Sequence, residues 1–235
     1  MLNIIVPASG RGSRFVAAGY KDPKPLIDVN GKHMISRVIA NVKPSQPHQF
    51  TVLMQKEHAI QGRVAGIYDC RLMLIDEVTQ GAACTVLLTR EFIDNDDPLM
   101  IVNSDQLLDF SVDQFLASAA PWDGAIVTFP ASDPKWSYVR KEDGFVVEVA
   151  EKRPISEEAT CGIYYWKRGS DFVRCAENMI AQDSCVNGEF YVAPVFNEAI
   201  ANGAKVVTYP IKASAMHGLG TPEDLEAYLA QKVAV

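Results

Sequence analysis

An apolar run that leads into a glycine-bearing turn opens the chain, in the stretch Ile4-Ile5-Val6-Pro7-Ala8-Ser9-Gly10-Arg11-Gly12-Ser13-Arg14. Glycines in such a turn let backbone N–H groups approach a polyphosphate closely, because no Cβ blocks the approach. The two arginines of the turn, and Lys24 in the following Pro23-Lys24-Pro25, supply the positive charge that a triphosphate requires. The stretch therefore predicts a phosphate-binding loop at the carboxyl end of a first strand.

The spacing of the glycines excludes two common phosphate-binding motifs. A dinucleotide-binding turn requires a third glycine, and Phe15 stands at that position. A P-loop requires Gly-Lys followed by Ser or Thr, which is absent here. Two glycines two residues apart can also mark a simple turn with solvated basic residues. The combination G-x-G-x-R with a distant P-K-P is more restrictive than either part alone.

Length and composition limit the class of protein. The 235 residues suffice for one large or two small domains with a buried core. No run approaches the roughly 18 to 20 apolar residues that a membrane span needs, and the start, Met1-Leu2-Asn3, lacks the basic region of a signal peptide. The five cysteines form no C-x-x-C pair, which favours reduced thiols in a cytoplasmic protein. We expect no membrane partner.

The charge balance bears on the ligand. A formal net charge of −7 disfavours a general nucleic-acid binder. An acidic protein that binds a polyanion must concentrate its positive charge locally and use a divalent metal, for which Mg²⁺ is the candidate. The opening loop fits this requirement. Oligomeric state is not indicated by the sequence, and a homo-oligomer stays open.

Strand-like and helix-like segments alternate along the first half of the chain. The predicted strands there are Asn3–Val6, Gln49–Met54, Arg71–Ile75, Leu99–Asn103 and Ala125–Phe129. The predicted helices between them are Met34–Val42, His58–Gly66, Ala82–Glu91 and Val112–Ala119. Such alternation is typical of βαβ units around a parallel sheet.

Shorter strands follow Pro130. We predict strands at Tyr138–Arg140, Phe145–Val149, Thr160–Trp166 and Lys205–Tyr209, with a hairpin turn at Asp143-Gly144. We predict helices at Ser170–Ala181, at Tyr191–Asn202 and from Pro222 onward. The predicted fold class is α/β: a single Rossmann-like domain with a mixed, mostly parallel sheet flanked by helices. Residues 1–130 would bind nucleotide, and residues 131–235 would form a smaller acceptor-binding lobe.

Three later motifs fall where such a fold places its ligand, beyond the carboxyl ends of the strands. Asp105 follows the fourth strand, and a carboxylate there suits Mg²⁺, although it could also cap a turn. Gln80 and Gly81 follow the third strand and offer an amide for a base edge, or form an ordinary strand-to-helix turn. Lys152 could hold an acceptor phosphate or belong to a surface charge run.

These strings together resemble the nucleotidyltransferase superfamily, the pyrophosphorylases that activate phosphorylated sugars and alcohols. The matching strings, in order, are Ala8–Arg14, Pro23–Lys32, Thr79–Ala82, Asn103–Asp105, Glu151-Lys152, Cys161–Tyr164, Gly188–Tyr191 and Gly218–Leu225. The resemblance is closest to short, single-domain bacterial members found with capsule and surface-polysaccharide genes, among them a cytidylyltransferase that activates phosphoglutamine. It implies a nucleotidyltransferase, or glycosyltransferase-A-like, fold.

The resemblance also implies roles for individual residues. Arg14, Lys24 and Lys152 would act on the phosphates as catalytic residues. The nucleotide would be bound by Pro7, Ala8, Ser9, Gly10, Arg11, Gly12, Gln80, Gly81 and Ser104. Asp105 would hold Mg²⁺. The acceptor would be bound by Gln106, Lys152, Gly162 and Glu189.

One position departs from the pattern of many sugar-activating members. They carry a second magnesium-binding aspartate two residues before the Gly-Thr of the late motif, where this chain has Gly218. The adjacent His217 is a candidate substitute, although imidazole suits transition metals better than magnesium. Two other interpretations stay open: His217 has a stacking or hydrogen-bonding role, or Asp105 and the phosphates hold the metal alone.

The implied reaction transfers a nucleoside monophosphate from a nucleoside triphosphate to a phosphorylated small molecule and releases pyrophosphate. CTP is the preferred donor, because the compact Ala-Ser-Gly-x-Gly-x-Arg loop resembles those of cytidylyltransferases. A sugar-1-phosphate thymidylyl- or uridylyltransferase is the alternative, because the amide of Gln80 can pair with any pyrimidine. Two other classes are a glycosyltransferase, disfavoured because Asn103-Ser104-Asp105 lacks the first aspartate of a D-x-D motif, and a non-catalytic nucleotide sensor.

Overall fold

The computed structural model describes residues 1–60 and 70–233, and within them nine strands form one mixed sheet. All strands, including four short ones outside that sheet, are β1 (Leu2–Pro7), β2 (Asp28–Val29), β3 (Lys32–His33), β4 (His48–Gln55), β5 (Cys70–Ile75), β6 (Leu99–Val102), β7 (Gln106–Leu108), β8 (Gly124–Pro130), β9 (Ser137–Glu142), β10 (Phe145–Glu151), β11 (Glu158–Trp166), β12 (Val206–Pro210) and β13 (Met216–Gly218). The helices are α1 (Ser13–Ala17), α2 (Met34–Asn41), α3 (Lys56–Ile60), α4 (Ala82–Leu87), α5 (Arg90–Ile93), α6 (Val112–Ala119), α7 (Gly169–Ala181), α8 (Val195–Ala201) and α9 (Pro222–Val233).

The main sheet has the strand order β10-β9-β11-β6-β1-β4-β5, and β8 joins β11 to β12. The run β6-β1-β4-β5 is parallel, whereas β11 pairs antiparallel with β6, β8 and β9. The predicted mixed α/β sheet is confirmed. Its parallel run belongs to the first half of the chain, and β11 joins that half to the antiparallel strands of the second.

Helices cover both faces of the sheet because the residues of each strand alternate between two apolar clusters. In β1, Ile4 packs with residues of α2, α6 and α9, whereas Ile5 packs with residues of α4, α7 and α8. Each fully buried side chain of this size contributes about 1.5–3 kcal/mol of transfer free energy. Both clusters contain residues from either side of residue 130. The division of the chain there stays a prediction.

The Asp143-Gly144 hairpin is observed between β9 and β10, with positive φ at both residues, 50° and 84°. The predicted helix Ala82–Glu91 is instead two helices. The Oγ1 of Thr89 donates a hydrogen bond to the carbonyl of Val86 at 2.7 Å and competes with the helical bonds there.

The helix predicted at Tyr191–Asn202 begins later, at Val195, directly after Pro194. Proline lacks an N–H and is therefore favoured where a helix starts. The helix predicted at His58–Gly66 corresponds to α3, which spans Lys56–Ile60, and the remainder of that prediction lies outside the described residues. Within the part of the chain that the structure describes, no helix is long and apolar enough to cross a membrane.

Candidate active site

One cleft of about 840 Å³ opens at the carboxyl ends of β1 and β6. Its walls come from the loop after β1, the turn that contains Lys24, the segment before α4, the residues between β6 and β7, and the second half of the chain. All predicted site residues except His217 line it: Pro7, Ala8, Ser9, Gly10, Arg11, Gly12, Arg14, Lys24, Gln80, Gly81, Ser104, Asp105, Gln106, Lys152, Gly162 and Glu189. Residues distant in sequence thus share one cavity.

The loop after β1 is anchored to its neighbours at two points. The N–H of Ala8 donates to the carbonyl of Leu53 at 2.8 Å, which continues the pairing of β1 with β4. The amide of Gln55 donates to the carbonyl of Ser9 at 2.7 Å. The backbone N–H of Ala8 is therefore occupied by the sheet, and the loop faces the cleft from the following residue onward.

Gly12 allows the loop to pack against the turn that contains Lys24. Its φ is +61°, and a Cβ there would lie 3.0 Å from the Cβ of Lys24. A Cβ on Gly10 would meet no atom within 4 Å. The close approach that glycine permits at Gly12 is therefore to the protein itself, while Gly10 leaves open space beside the cleft.

Lys24 and Asp105 form an ion pair within the cleft. Lys24 belongs to a short 3-10 turn that begins after Pro23, and its Nζ donates to Oδ2 of Asp105. The two side chains are only 19% and 25% exposed, so the pair is partly screened from water. A carboxylate with cleft-facing oxygens suits magnesium, and a neighbouring ammonium group suits a phosphate.

Gln80 and Gly81 form the turn before α4, and this turn is joined to the segment that contains Glu189. The N–H of Phe190 donates to the carbonyl of Gln80 at 2.9 Å, and the N–H of Ala83 donates to the carbonyl of Phe190 at 3.0 Å. Gly81 has a φ of +112°, and a Cβ there would lie 2.5 Å from backbone atoms of Phe190. Glycine is thus required at this position by a protein contact, and the exposed side chain of Gln80 faces the cleft.

A chain of hydroxyl groups connects this turn to the loop after β1. The Oγ1 of the buried Thr85, in α4, lies 2.6 Å from Oγ1 of Thr79 and 3.3 Å from Oγ of Ser9. Thr79 also donates to the carbonyl of Gly81 at 3.0 Å. One buried side chain therefore holds two walls of the cleft together.

Lys152 lines the part of the cleft that comes from the second half of the chain, directly after β10. Its φ of +53° is uncommon for a residue other than glycine, and such strain is often retained at functional positions. Its Nζ donates to the hydroxyl of Tyr191 at 2.5 Å and lies 4.6 Å from the centre of that ring. Burial, with the nearby Glu189 and Glu151, raises the pKa of Tyr191, so its hydroxyl stays protonated at neutral pH.

Two further features shape this part of the cleft. Burial raises the pKa of Glu151, which accepts a hydrogen bond from Ser137 Oγ. Gly162 has a φ of +71° beside an irregularity in β11, and a Cβ there would collide with the amide nitrogens of Gln106 and Asn103. The cleft therefore has a polar floor at Gln106 and Gly162, and carboxylates in its wall.

His217 is not brought into the cleft. It lies in β13, whose neighbouring residues Met216 and Gly218 line the cavity, so its side chain extends to the other side of the strand. Its Nε2 is 2.8 Å from a carboxylate oxygen of Asp109, and its ring lies 5.5 Å from that of Tyr228. The role of His217 as a substitute metal ligand stays a prediction, and its bond to Asp109 favours the alternative of a hydrogen-bonding histidine.

Several cleft residues escaped the sequence prediction. They include Lys135, Trp136, Ser137, Glu151, Tyr164, Tyr191 and Asp224. Glu151, Tyr164, Tyr191 and Asp224 occur within the motifs quoted above, so their neighbours were the available signal. Lys135 and Trp136 belong to the connection between β8 and β9, and nothing in their local sequence indicates a site.

The carboxylates available for a metal suit magnesium better than a transition metal. Among the described residues, no group of three or more His, Cys, Asp or Glu side chains could hold a metal ion. Magnesium needs no such group, because it takes one or two protein carboxylates together with phosphate oxygens and water. Asp105 meets this requirement. The basic side chains of Arg14, Lys24 and Lys152 line the same cleft and have the charge that suits phosphate.

Comparison with known proteins gives a consistent family. The family model described as nucleotidyl transferase matches residues 3–230. The bifunctional protein GlmU of Francisella philomiragia is 24% identical over 232 residues, which cover 93% of this chain and 49% of that protein. The chain spans about half the length of the curated relatives that it matches.

Solved structures share the fold along the whole chain. A nucleoside-diphosphate-sugar pyrophosphorylase of Vibrio cholerae has a TM-score of 0.82 and 25% identity, with 97% of this chain and 100% of that chain covered. A protein assigned as a glucose-1-phosphate thymidylyltransferase of Bacillus anthracis, in complex with a sucrose, has a TM-score of 0.81 and 18% identity, covering 100% and 96%. The inositol-1-phosphate CTP transferase of Thermotoga maritima (T. maritima) has a TM-score of 0.76 and 16% identity, covering 98% and 95%.

Proposed function

Since the chain belongs to the nucleotidyl transferase family, we propose that it transfers a nucleoside monophosphate from a nucleoside triphosphate to a small phosphorylated acceptor and releases pyrophosphate. The observation that carries this proposal is the single cleft in which Lys24, Asp105 and Lys152 occur together. Lys24 and Asp105 precede residue 130 and Lys152 follows it, so both parts of the chain would bring charged groups to a reaction between two phosphates.

In the proposed reaction an oxygen of the acceptor phosphate attacks the α-phosphorus in line. A new phosphorus–oxygen bond forms, the bond between the α-phosphorus and its bridging oxygen to the β-phosphorus breaks, and pyrophosphate leaves with that electron pair. The attacking oxygen is already ionised at neutral pH, so no general base is needed. The protein must position two anions and offset their repulsion.

The residues of the cleft would divide this work. Arg14 would bind the β- and γ-phosphates, Lys24 would lie between the α-phosphate and the attacking phosphate, and Lys152 would hold the acceptor phosphate. Gln80 would contact the base. Asp105 would hold Mg²⁺, which neutralises phosphate charge when bound. Gln106, Gly162 and Glu189 would contact the body of the acceptor.

We propose CTP as the donor, because the loop from Ala8 to Arg14 resembles those of cytidylyltransferases. The name of the Thermotoga neighbour, a CTP transferase, is compatible with this choice. Thymidylyl or uridylyl transfer to a sugar 1-phosphate is the second candidate. The exposed amide of Gln80 favours it, because an amide can reverse its donor and acceptor ends for another pyrimidine, and the Bacillus neighbour is assigned that activity for thymidine.

We further propose that the product serves capsule or surface-polysaccharide synthesis in the cytoplasm. The role rests on the resemblance to short, single-domain members found with such genes. The five cysteines form no C-x-x-C pair, a pattern that favours a reducing compartment. The acceptor class comprises phospho-alcohols, phospho-amides and sugar phosphates.

The test is pyrophosphate release with Mg²⁺, measured for CTP, dTTP, UTP, GTP and ATP against a panel of acceptors. The panel contains sugar 1-phosphates, phosphocholine, phosphoethanolamine, glycerol phosphate and phosphoglutamine. Release with one donor and one acceptor supports the enzyme and identifies both substrates. Tight nucleotide binding without release from any acceptor favours a sensor, and hydrolysis of a nucleotide sugar favours a glycosyltransferase. Absence of nucleotide binding contradicts the proposal.

A further inference from the structure

We infer that Asp224 supplies a second carboxylate for the magnesium ion, in place of the aspartate that many relatives have at the position of Gly218. The inference rests on the proposed function, because it concerns the metal of that reaction. It also answers the question that His217 left open, since that side chain extends away from the cleft and bonds to Asp109.

The position of the Asp224 side chain is the first observation. A Cβ built on Gly218 would lie 3.6 Å from both Cγ and Oδ2 of Asp224. Both residues line the cleft. The carboxylate of Asp224 therefore occupies the neighbourhood into which an aspartate side chain at position 218 would extend, although it comes from the first turn of α9.

The relation of the same segment to Asp105 is the second observation. The N–H of Leu219 donates to the backbone carbonyl of Asp105 at 2.7 Å. A Cβ built on Gly220 would lie 3.1 Å from Oδ2 of Asp105. The three residues 218–220 thus lie beside the carboxylate of Asp105 at one end and beside that of Asp224 at the other, and both aspartates line one cavity.

Capping of α9 accounts for the backbone of Asp224 and leaves its carboxylate available. Its N–H donates to Oγ1 of Thr221 at 3.1 Å, as at a helix N-terminus. Within the described residues, the hydrogen bond that its carboxylate accepts comes from Lys135 Nζ, at 3.4 Å, across the cleft. The side chain is 28% exposed and is therefore open to a ligand in the cavity.

Each of the two carboxylates is thus paired with a lysine of the same cleft: Asp105 with Lys24, and Asp224 with Lys135. A nucleoside triphosphate with its magnesium would offer a new partner to each side chain of the two pairs. The lysines can turn to phosphate oxygens, and the carboxylates can turn to the metal, which accepts one or two of them.

The experiment measures metal binding directly, by electron paramagnetic resonance of free Mn²⁺ titrated with protein, in one series with CTP and in another with dTTP. No acceptor is present, so no turnover is required. We expect Asp224→Asn to weaken Mn²⁺ binding at least tenfold. The control is Glu226→Gln, which removes the same charge from an exposed position of α9 outside the cleft, and it should bind as the wild type does.

A rescue variant separates metal ligation from a merely structural effect. Gly218 has an ordinary backbone conformation, and its Cβ would make only van der Waals contacts, so Gly218→Asp fits the fold. Combined with Asp224→Asn, it should restore Mn²⁺ affinity to within about threefold of wild type. Wild-type affinity in Asp224→Asn, or a folded double variant that stays weak, overturns the inference.

Asp105→Asn is titrated in parallel to separate this inference from the proposed function. Loss of Mn²⁺ binding in Asp105→Asn with wild-type binding in Asp224→Asn overturns the role of Asp224 alone. Wild-type binding in Asp105→Asn contradicts the metal site of the proposed function itself, and the inference with it. Thermal unfolding of each variant shows that the binding measurement is made on folded protein.

Discussion

Lys24 and Asp105, 81 positions apart in sequence, form an ion pair within the cleft. In the absence of substrate each neutralises the other, and neither is left as an uncompensated charge in a partly buried site. Under the proposed function, a nucleotide with its metal would compete for both side chains. The affinity of the cleft for nucleotide would then depend on the difference between their bonds to phosphate and metal and the bond that they already make.

Replacement of Lys24 tests its role on the phosphates. We expect Lys24→Ala to lower kcat at least about a hundredfold, because a positioned charge that stabilises a transition state is worth about 2.7–4 kcal/mol. Lys32→Ala is the matched control, since Lys32 is an exposed lysine of the hairpin β2–β3. Pyrophosphate release and the melting temperature are measured for both. Near-normal turnover in a folded Lys24→Ala enzyme would remove the residue from the reaction.

The close contact between Gly81 and the backbone of Phe190 predicts that a side chain at position 81 destabilises the fold by more than backbone strain alone would. Gly81→Ala places a Cβ 2.5 Å from backbone atoms at a φ of +112°. Gly203→Ala has a positive φ of +84° but meets no atom within 4 Å, so it should cost only the roughly 1–2 kcal/mol of a left-handed residue. Urea unfolding should show a clearly larger loss for Gly81→Ala. Equal losses of stability in the two variants would show that the segment containing Phe190 can move away from the added methyl group at no cost.

Two partly buried glutamates predict opposite dependences of stability on pH. Burial raises the pKa of Glu151 above its ordinary 4.5, so the folded state retains that proton longer than the unfolded state. Its contribution to stability must therefore fall as pH rises through and above about 4.5. Burial of Glu158 also acts to raise its pKa, but hydrogen bonds from Lys141, Thr128 and Thr208 hold it below 4.5.

Glu158 therefore stabilises the fold above about pH 4.5, and its contribution is lost as the pH falls below that value. The measurement is the free energy of unfolding of wild type, Glu151→Gln and Glu158→Gln from pH 3 to pH 7. Relative to wild type, Glu151→Gln should gain stability as pH rises, and Glu158→Gln should lose it. The same sign in both variants would contradict the assigned environments.

Much of the fold and of the cleft could be predicted because local patterns determine them. The strand ending at Pro7 and the helix Val112–Ala119 have the apolar spacing that their burial requires. The break at Thr89 was not predictable from periodicity, because it depends on a side-chain hydroxyl that bonds to the backbone. Pro194 indicates where α8 begins, but the apolar residues before it extend the helical pattern, so the predicted helix began too early.

The unpredicted part of the site depends on tertiary contacts. His217 and Gly218 are neighbours in the sequence at the start of the late motif. Which of the two faces the cleft depends on the pairing of β13 with β7, a tertiary contact. Lys135 reaches the cavity from a loop with no motif, and its carboxylate partner lies 89 positions away. Gly81 was predicted to lie in the turn before a helix, but the close approach of the Phe190 backbone to it is a tertiary contact that no local pattern indicates.

The hydroxyl chain through Thr85 predicts a positioning effect on nucleotide binding. Thr85→Val keeps the shape of the buried side chain but removes the oxygen that contacts both Ser9 and Thr79. The loop after β1 and the turn that contains Gln80 would then lose their common anchor, and the buried hydroxyl of Ser9, left without this partner, would cost about 1–3 kcal/mol. We expect nucleotide affinity to fall about tenfold, and Thr85→Ser, which keeps the oxygen, to bind within about threefold of wild type. Calorimetric titration with the donor nucleotide measures both, and equal affinity in the valine and serine variants would show that the two walls are held independently of this hydroxyl.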